Sequence, residues 1–294
     1  MTGERRARRG SRSLRGGVLF LASCACLLDC GRAAPALESA ANDPGVAGDA
    51  GTLADAGNAA NEASPEPPVA DVPVAAEPEE PSWHEPVAER TPATEAAQRI
   101  IDTLASVEEK LTETRYQYTT LVREPSGKFY WDCSGMAAWV LQQAAPRARD
   151  VLSDDHPLAR EFYDTIAESP TDEPRHGWQR LAHPEQIGPG DLFAWRKPDF
   201  WAERPNTGHV GFVIGTSQPH PVYANVWVMR IADATRMLHE ADSRPEGGAG
   251  GFGTGTMAFL FDDDGTPMAY GWYGEAQPPD TFVPTKIAFG RVSR

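Results

Sequence analysis

The chain contains few cysteines, and their positions limit the kinds of fold and site that it can form. Only four cysteines occur in 294 residues, and three of them (Cys24, Cys26 and Cys30) lie near the N-terminus. The remainder of the chain therefore has a single thiol, Cys133. One cysteine cannot form an internal disulfide or a structural zinc site, and the histidines lack zinc-ligand spacing. We expect no metal and no other cofactor.

The chain also lacks an excess of basic residues. Its formal net charge is −15, and loss of residues 1–23, which hold six arginines and one glutamate, changes this to −20. A chain this acidic offers no basic surface to nucleic acid and no polybasic patch to anionic lipids. Nucleic-acid binding is therefore excluded as a function class.

The apolar run near the N-terminus is too short to span a bilayer. Residues 1–30 join the basic segment "MTGERRARRGSRSLRGG" to the apolar "VLFLASCACLL", which is the pattern of a secretory signal. The motif "LASC" matches the bacterial lipobox, so Cys24 is the expected site of lipidation. The alternative is an ordinary signal peptide that is cut near "GRAAPA". We expect export to the cell envelope, with a lipid anchor as the membrane contact.

Large apolar side chains are scarce in residues 31–90. This segment has sixteen alanines, nine prolines and one aromatic residue, Trp83. It cannot bury enough surface to offset the entropy lost on ordering, so we interpret it as a disordered tether. Residues 91–294 are then expected to form one folded domain.

The folded part is predicted to be α+β, with helices before a mainly antiparallel sheet. Residues 91–116 begin with Thr-Pro and repeat apolar residues at helical spacing as far as Leu111. A loop with Pro125 and Gly127 leads to a second helix that starts near Cys133. Residues 146–188 form an intervening segment with one more helix. The predicted strands are "DLFAW", "HVGFVIG", "YANVWVMRIADAT", the hairpin "TMAFLFDDDGTPMAYGW" and "TKIAFGRV".

The segment "FYWDCSGMAAWVLQQ" places Cys133 in the first turn of a helix, with Asp132 as its N-cap. Free amide hydrogens and the positive end of the helix dipole favour a thiolate, so we expect a lowered pKa and a nucleophilic role. The alternative is that Cys133 is a small buried apolar residue.

A nucleophilic thiol requires a base, and His209 is the best candidate. It directly precedes "VGFVIG", which is expected to be a buried strand that holds the ring in place. Most of the other histidines of the domain are expected to be solvated, because they lie in polar or proline-containing stretches: His156, His176, His183, His220 and His239.

Three blocks resemble the NlpC-type cell-wall cysteine peptidases, which are papain-like and CHAP-related. The blocks are "DCSGMAAWVL", "GPGDLFAW" and "GHVGFVIG", in the family order, followed by "IAFGRV", which is similar to the closing strand. The resemblance covers about residues 113–294. It implies a papain-like core in which the cysteine helix packs on the sheet that carries the histidine. Because Cys precedes His, the circularly permuted acyltransferase relatives are disfavoured.

The resemblance also implies roles for individual residues. Cys133 matches the nucleophile, and His209 matches the general base. Asp233, in "IADAT", stands at the place of the third, polar residue, although the family usually has His, Asn or Gln there. His239 is the alternative. Further residues are expected to shape the oxyanion site or the substrate groove: Ser134 at the helix start, Asp132, and either Tyr116 or Tyr118 as the family tyrosine.

The expected function is hydrolysis of amide bonds in peptidoglycan stem peptides by an exported, lipid-anchored enzyme. The alternatives are a catalytically silent wall-binding or scaffolding domain of the same fold, and a cysteine hydrolase or acyltransferase that acts on another amide. The expected partners are cell-wall peptides, and the sequence does not indicate an oligomeric state. "GAGGFG" precedes a strand and not a helix, so it is interpreted as a glycine loop and not as a dinucleotide site.

Overall fold

The computed structural model describes residues 87–153, 155–201 and 207–293, which form a mixed α+β fold. The predictions for residues 1–30, including lipidation of Cys24, and for nearly all of the 31–90 tether lie outside the described residues. Within them, Val87 already contacts the folded core: its amide donates to the Gln218 side chain at 2.8 Å and its carbonyl accepts from it at 2.8 Å. The chain is thus bonded to the core before the predicted boundary at residue 91.

The described residues contain four α-helices and twelve strands. The helices are α1 (Glu95–Lys110), α2 (Cys133–Ala144), α3 (Pro146–Arg149) and α4 (Ala159–Ala167). The strands are β1 (Glu113–Tyr116), β2 (Leu121–Arg123), β3 (Lys128–Trp131), β4 (Trp178–Leu181), β5 (Leu192–Arg196), β6 (Gly208–Val213), β7 (Gln218–Pro219), β8 (Val226–Thr235), β9 (Gly251–Phe261), β10 (Pro267–Gly271), β11 (Val283–Pro284) and β12 (Ile287–Val292). No described helix is long and apolar enough to cross a bilayer.

The large sheet has the strand order β11-β10-β9-β8-β6-β5-β12-β4, and β7 pairs with β8. Every pairing in this sheet is antiparallel. A second sheet, β1-β3-β2, lies before α2 in the chain and includes one parallel pair, β1 with β3. The predicted α+β class and the mainly antiparallel sheet are confirmed.

Both faces of the large sheet carry apolar side chains. On β5, Leu192 and Ala194 join the apolar cluster around the helices, whereas Phe193 and Trp195 join a second cluster on the other face. Helix α2 packs against β6, β8 and α1 on the first face. On the second face the sheet curls until β10 contacts β12, which encloses the cluster. The strands that hold the candidate site are therefore buried on both sides.

The first helix is shorter than predicted. Thr94 caps α1 by accepting the amide hydrogen of Ala97 at 2.9 Å, and the helix ends at Lys110, beside the last residue of the apolar repeat. Residues 113–116, predicted to be helical, are strand β1 because β3 supplies a pairing partner. Tertiary context here overrides local propensity. The predicted loop around Pro125 and Gly127 likewise contains part of the small sheet, β2 and β3.

The segment 146–188 is part of the core. Helix α4 buries Phe162 and Ile166 completely and packs against β5, β6 and β12. Strand β4, which the alternation pattern did not predict, pairs with β12 at the sheet edge. The five predicted strand regions correspond to β5, β6, β8, the β9–β10 hairpin and β12, but β9 begins at Gly251, within the predicted glycine loop.

Candidate active site

Cys133 is the first residue of α2, and Asp132 is its N-cap, as predicted. The Asp132 carboxylate accepts the amide hydrogen of Gly135 at 2.7 Å and the hydroxyl hydrogen of Ser134 at 3.2 Å. These two bonds satisfy donors at the helix start, so Asp132 fixes the position of Cys133. Its expected contribution to the substrate groove stays a prediction.

The Cys133 thiol is 5% exposed and faces the backbone amide hydrogens of Val210 and Ser134. Burial raises the pKa of this thiol, the nearby Asp132 carboxylate adds to the rise, and the two amides offset only part of it. The lowered pKa predicted from the helix start is therefore wrong for the resting site, because desolvation outweighs the favourable amide contacts. A thiolate at this position requires that another group accept the proton.

His209 lies at the second position of β6 and is 8% exposed. Its Nε2 is 2.8 Å from Oδ2 of Asp233, so Nδ1 is the ring nitrogen that remains for proton transfer. Aromatic rings surround the imidazole: the Trp195 centroid is 4.9 Å away, and those of Trp272 and Phe193 are 5.6 and 6.1 Å away. The ring is thus held by one carboxylate and by packing.

Asp233 is fully buried near the end of β8 and is shared by two histidines. Its Oδ2 lies 2.8 Å from Nε2 of His209 and 2.8 Å from Nε2 of His239. Its Oδ1 accepts from Nη1 of Arg244 at 3.1 Å. The two residues proposed as alternatives from the sequence, Asp233 and His239, are therefore consecutive members of one hydrogen-bonded network.

The charge state of Asp233 is set by these neighbours. Burial alone would raise the pKa of its carboxyl, but His239 and His209 outweigh burial and hold this pKa well below its ordinary value. Asp233 is therefore ionised throughout the physiological pH range. An ionised carboxylate can only accept hydrogen bonds, so it orients each histidine through an N–H that points at it.

His239 and Arg244 are the other two side chains that contact the Asp233 carboxylate. The Nδ1 of His239 lies 3.2 Å from the Trp272 carbonyl oxygen, so both ring nitrogens of His239 have a polar neighbour. Arg244 donates to both carboxylate oxygens of Asp242 at 2.9 and 2.6 Å. Besides Asp233, His239 thus contacts the Trp272 carbonyl and Arg244 contacts Asp242, and these second partners restrict the movement of both side chains.

Two histidines that were expected to be solvated are buried instead. His239 is 5% exposed and His220 is 3% exposed, because the segments after β8 and β7 fold back on the sheet. Nδ1 of His220 accepts the amide hydrogens of Val222 and Tyr223 at 3.0 and 3.2 Å, which is a turn-stabilising role. The other three, His156, His176 and His183, are exposed as predicted.

Glycines on β9 make room for the network. A Cβ on Gly253 would lie 2.6 Å from the Arg244 side chain, and one on Gly255 would lie 2.6 Å from Cβ of His239. Sequence reasoning missed Arg244, Asp242 and this use of glycine. The signal that could have found them is the alternation of glycine in "GFGTG" inside a strand, which indicates close approach of another group.

Tyr116 and Tyr118 border the site on the side of the small sheet. Tyr116 pairs in register with Trp131, two residues before Cys133, and burial raises the pKa of its phenol. Tyr118 is 66% exposed and meets the Tyr116 ring edge-on at a centroid distance of 6.2 Å. Tyr116 is the better placed of the two predicted groove residues.

The arrangement brings a thiol, an imidazole and a buried carboxylate together at the start of α2. No hydrogen bond joins the Cys133 sulfur to the His209 ring in this state; catalytic contacts of this kind often tighten only when substrate binds. The part of the chain that the structure describes has no group of three or more His, Cys, Asp or Glu residues able to hold a metal ion.

The chain is similar to an uncharacterised protein of Acanthamoeba polyphaga mimivirus. It is 24% identical over 200 residues, which cover 58% of this chain and 83% of the viral protein. No protein-family model and no solved structure matches the chain. Because the viral protein is uncharacterised, the similarity brings no activity to this chain.

Proposed function

We propose that this chain is an exported, lipid-anchored cysteine amidohydrolase or endopeptidase with a papain-like, NlpC-type core. Its substrates are amide bonds in peptidoglycan stem peptides. The observation that carries the proposal is the 2.8 Å contact of Asp233 with Nε2 of His209, next to a thiol at a helix start. A nucleophile, a base and a group that orients the base are the parts that acyl transfer requires.

The reaction begins with transfer of the Cys133 proton to Nδ1 of His209. This transfer forms the thiolate next to a positively charged imidazole, which offsets the unfavourable effect of burial on the charged sulfur. The thiolate attacks the amide carbonyl carbon, and backbone amides at the helix start, including that of Ser134, stabilise the oxyanion. His209 then donates its proton to the leaving nitrogen, and the C–N bond breaks to give a thioester. Water, deprotonated by His209, hydrolyses the thioester and restores the thiol. Asp233 holds the imidazole in one tautomer and orientation throughout.

A catalytically silent wall-binding domain of the same fold is the second candidate. The observation that favours it is the burial of Cys133, which raises the pKa of the thiol and stabilises the unreactive form. The network around Asp233 weighs against it, because a binding domain has no need of a buried carboxylate that orients an imidazole. A hydrolase or acyltransferase for another amide would use the same residues.

The test is to incubate the full chain with purified peptidoglycan and to identify new stem-peptide fragments by mass spectrometry. Wild type is expected to release fragments, and Cys133→Ala and His209→Asn are expected to release none. His183→Ala is the matched control, because this histidine is exposed and lies away from Asp233. Circular dichroism checks that the variants are folded. Unchanged release by either site variant would refute the mechanism, and loss of fatty-acid labelling in Cys24→Ala would test the anchor.

A further inference from the structure

One cation beside the candidate site has no acidic partner. Arg236 directly follows β8, is exposed, and makes no ion pair with any residue in the described ranges. Its neighbours are paired: Arg244 binds Asp242, and Arg115 binds Glu113 at 3.3 Å. In a chain with 42 acidic and 27 basic residues, an arginine left unpaired is available to a group from outside.

Arg236 is held over an aromatic ring. Its guanidinium carbon lies 5.3 Å from the ring centroid of Tyr116, in a cation–π contact. Contact with the ring face restricts the flexible side chain. The donors of the guanidinium do not pair with a carboxylate of the described residues. An arginine fixed in this way loses less entropy when it binds a ligand.

Tyr116 connects this cation to the nucleophile. Tyr116 is the last residue of β1 and pairs in register with Trp131, two residues before Cys133. Its ring also contacts the Arg236 guanidinium, so Tyr116 lies between the start of α2 and this cation. To reach Arg236, a substrate that reacts at Cys133 needs its carboxylate several atoms from the reacting carbonyl.

Arg236 also lines a cleft that is large enough for part of a substrate. Its volume is about 380 Å3, and its walls are residues 111–114, residues 247–250, Arg236, Leu238, Arg244 and Pro245. The other charges on the walls are compensated, because Glu113 pairs with Lys128 at 2.9 Å and Arg244 with Asp242 at 2.6 Å. Arg236 leaves the cleft with one uncompensated positive charge.

We propose that Arg236, steadied by Tyr116, is a subsite for a carboxylate on the substrate, so that the enzyme selects anionic peptides or acyl amides. The proposal rests on the proposed function, since it requires that the substrate react at Cys133. A guanidinium presents parallel N–H donors that match the two oxygens of a carboxylate. A neutral or amidated substrate would leave these donors without a partner and would bind less tightly.

Two small alkylating reagents test the subsite without knowledge of the natural substrate. N-iodoacetyl-4-aminobutyrate and N-iodoacetyl-4-aminobutyramide both alkylate a thiolate with loss of iodide, but only the first carries a carboxylate, which lies several atoms from the reacting carbon. The rate of Cys133 alkylation in the full chain would be followed by mass spectrometry at pH 8.5, which separates this thiol from the N-terminal cysteines. Arg236→Gln removes the proposed partner. Arg115→Gln is the matched control, with the same charge change on an exposed, already paired arginine.

We expect Arg236→Gln to slow alkylation by the carboxylate reagent about fivefold, as for loss of an exposed charge contact, and to change the rate of the amide reagent less than twofold. Arg115→Gln should leave the ratio of the two rates within twofold of wild type. An unchanged ratio in Arg236→Gln would overturn the carboxylate subsite and leave the nucleophile intact. Failure of both reagents to label Cys133, together with no release of stem-peptide fragments from peptidoglycan, would overturn the proposed nucleophile, and the subsite with it.

Discussion

Asp191 and Asp233 are both almost completely buried and each faces an arginine, yet their surroundings differ. Asp191, just before β5, binds Arg291 through two parallel hydrogen bonds of 2.8 Å, one to each carboxylate oxygen. It also accepts the amide hydrogen of Gly188 at 2.8 Å. All of its partners are structural, and together they fasten the turn before β5 to β12.

Asp233 meets its arginine through one oxygen only. Nη1 of Arg244 lies 3.1 Å from Oδ1, and the other oxygen is shared by two imidazole nitrogens. Burial raises the pKa of Asp191 despite Arg291, whereas the two histidines bring the pKa of Asp233 below its ordinary value against burial. An arginine neighbour therefore does not by itself set the pKa of a buried carboxyl group. The partners of the carboxylate oxygen that the arginine does not bind matter as well.

The largest effect is expected from Asp233→Asn. The amide cannot accept two N–H groups on one charged oxygen, so His209 loses its orientation and turnover falls about 10³- to 10⁴-fold. Because Arg244 and the two histidines lose a buried carboxylate, although Arg244 keeps Asp242, the free energy of unfolding falls by about 3 kcal/mol. Turnover on peptidoglycan and denaturant unfolding measure the two losses. Turnover within tenfold of wild type would remove Asp233 from the reaction.

A smaller effect is expected from His239→Gln. Asp233 keeps His209 and Arg244 but loses one bond that fixes its position, so turnover falls about tenfold, or ~1.4 kcal/mol. Gly255→Ala is the companion variant, because its new Cβ would displace His239 without removing a polar group. Both are to be assayed on peptidoglycan beside wild type. If neither variant loses turnover, His239 has only a packing role.

Asp191→Asn tests whether this aspartate, unlike Asp233, contributes to stability but not to turnover. It should leave turnover of the folded protein within about threefold of wild type, because the residue touches no part of the site. The free energy of unfolding should fall by about 2 kcal/mol, less than for Asp233, since Arg291 keeps some contact with solvent. Urea unfolding and the peptidoglycan assay test this pair of expectations. A large loss of turnover at full stability would contradict the comparison.

The smallest effect is in the pH dependence of stability, where the two aspartates should act with opposite sign. Asp233 has a lowered folded pKa, so its contribution is present above pH ~4 and is lost as the pH falls below that. Asp191 has a raised folded pKa, so its folded form holds a proton just above pH ~4, and stability falls as the pH rises there. Asp233→Asn should flatten the acid limb, and Asp191→Asn should steepen it. Urea midpoints between pH 3 and 6 measure both slopes.

Local sequence signals identified the start of α2, its cap and five strand regions, because each depends on residues close together in the chain. Local context also selected His209, whereas Asp233 was assigned only from the family resemblance; the two lie on neighbouring strands of the sheet. The small sheet was missed, since β1 depends on pairing with β3 across a turn. The protonation preference of Cys133 was mispredicted for a related reason: a capping pattern reveals the helix dipole but not the burial that opposes it.

The tryptophan that packs between the two histidines has an optical consequence. The ring of Trp272 lies 5.6 Å from that of His209 and 4.3 Å from that of His239, and its Nε1 donates to the Leu238 carbonyl at 3.0 Å. A positively charged imidazole quenches indole fluorescence at such distances. The change with pH in the emission difference between wild type and Trp272→Phe therefore reports a change of charge in the two histidines, and it requires no substrate.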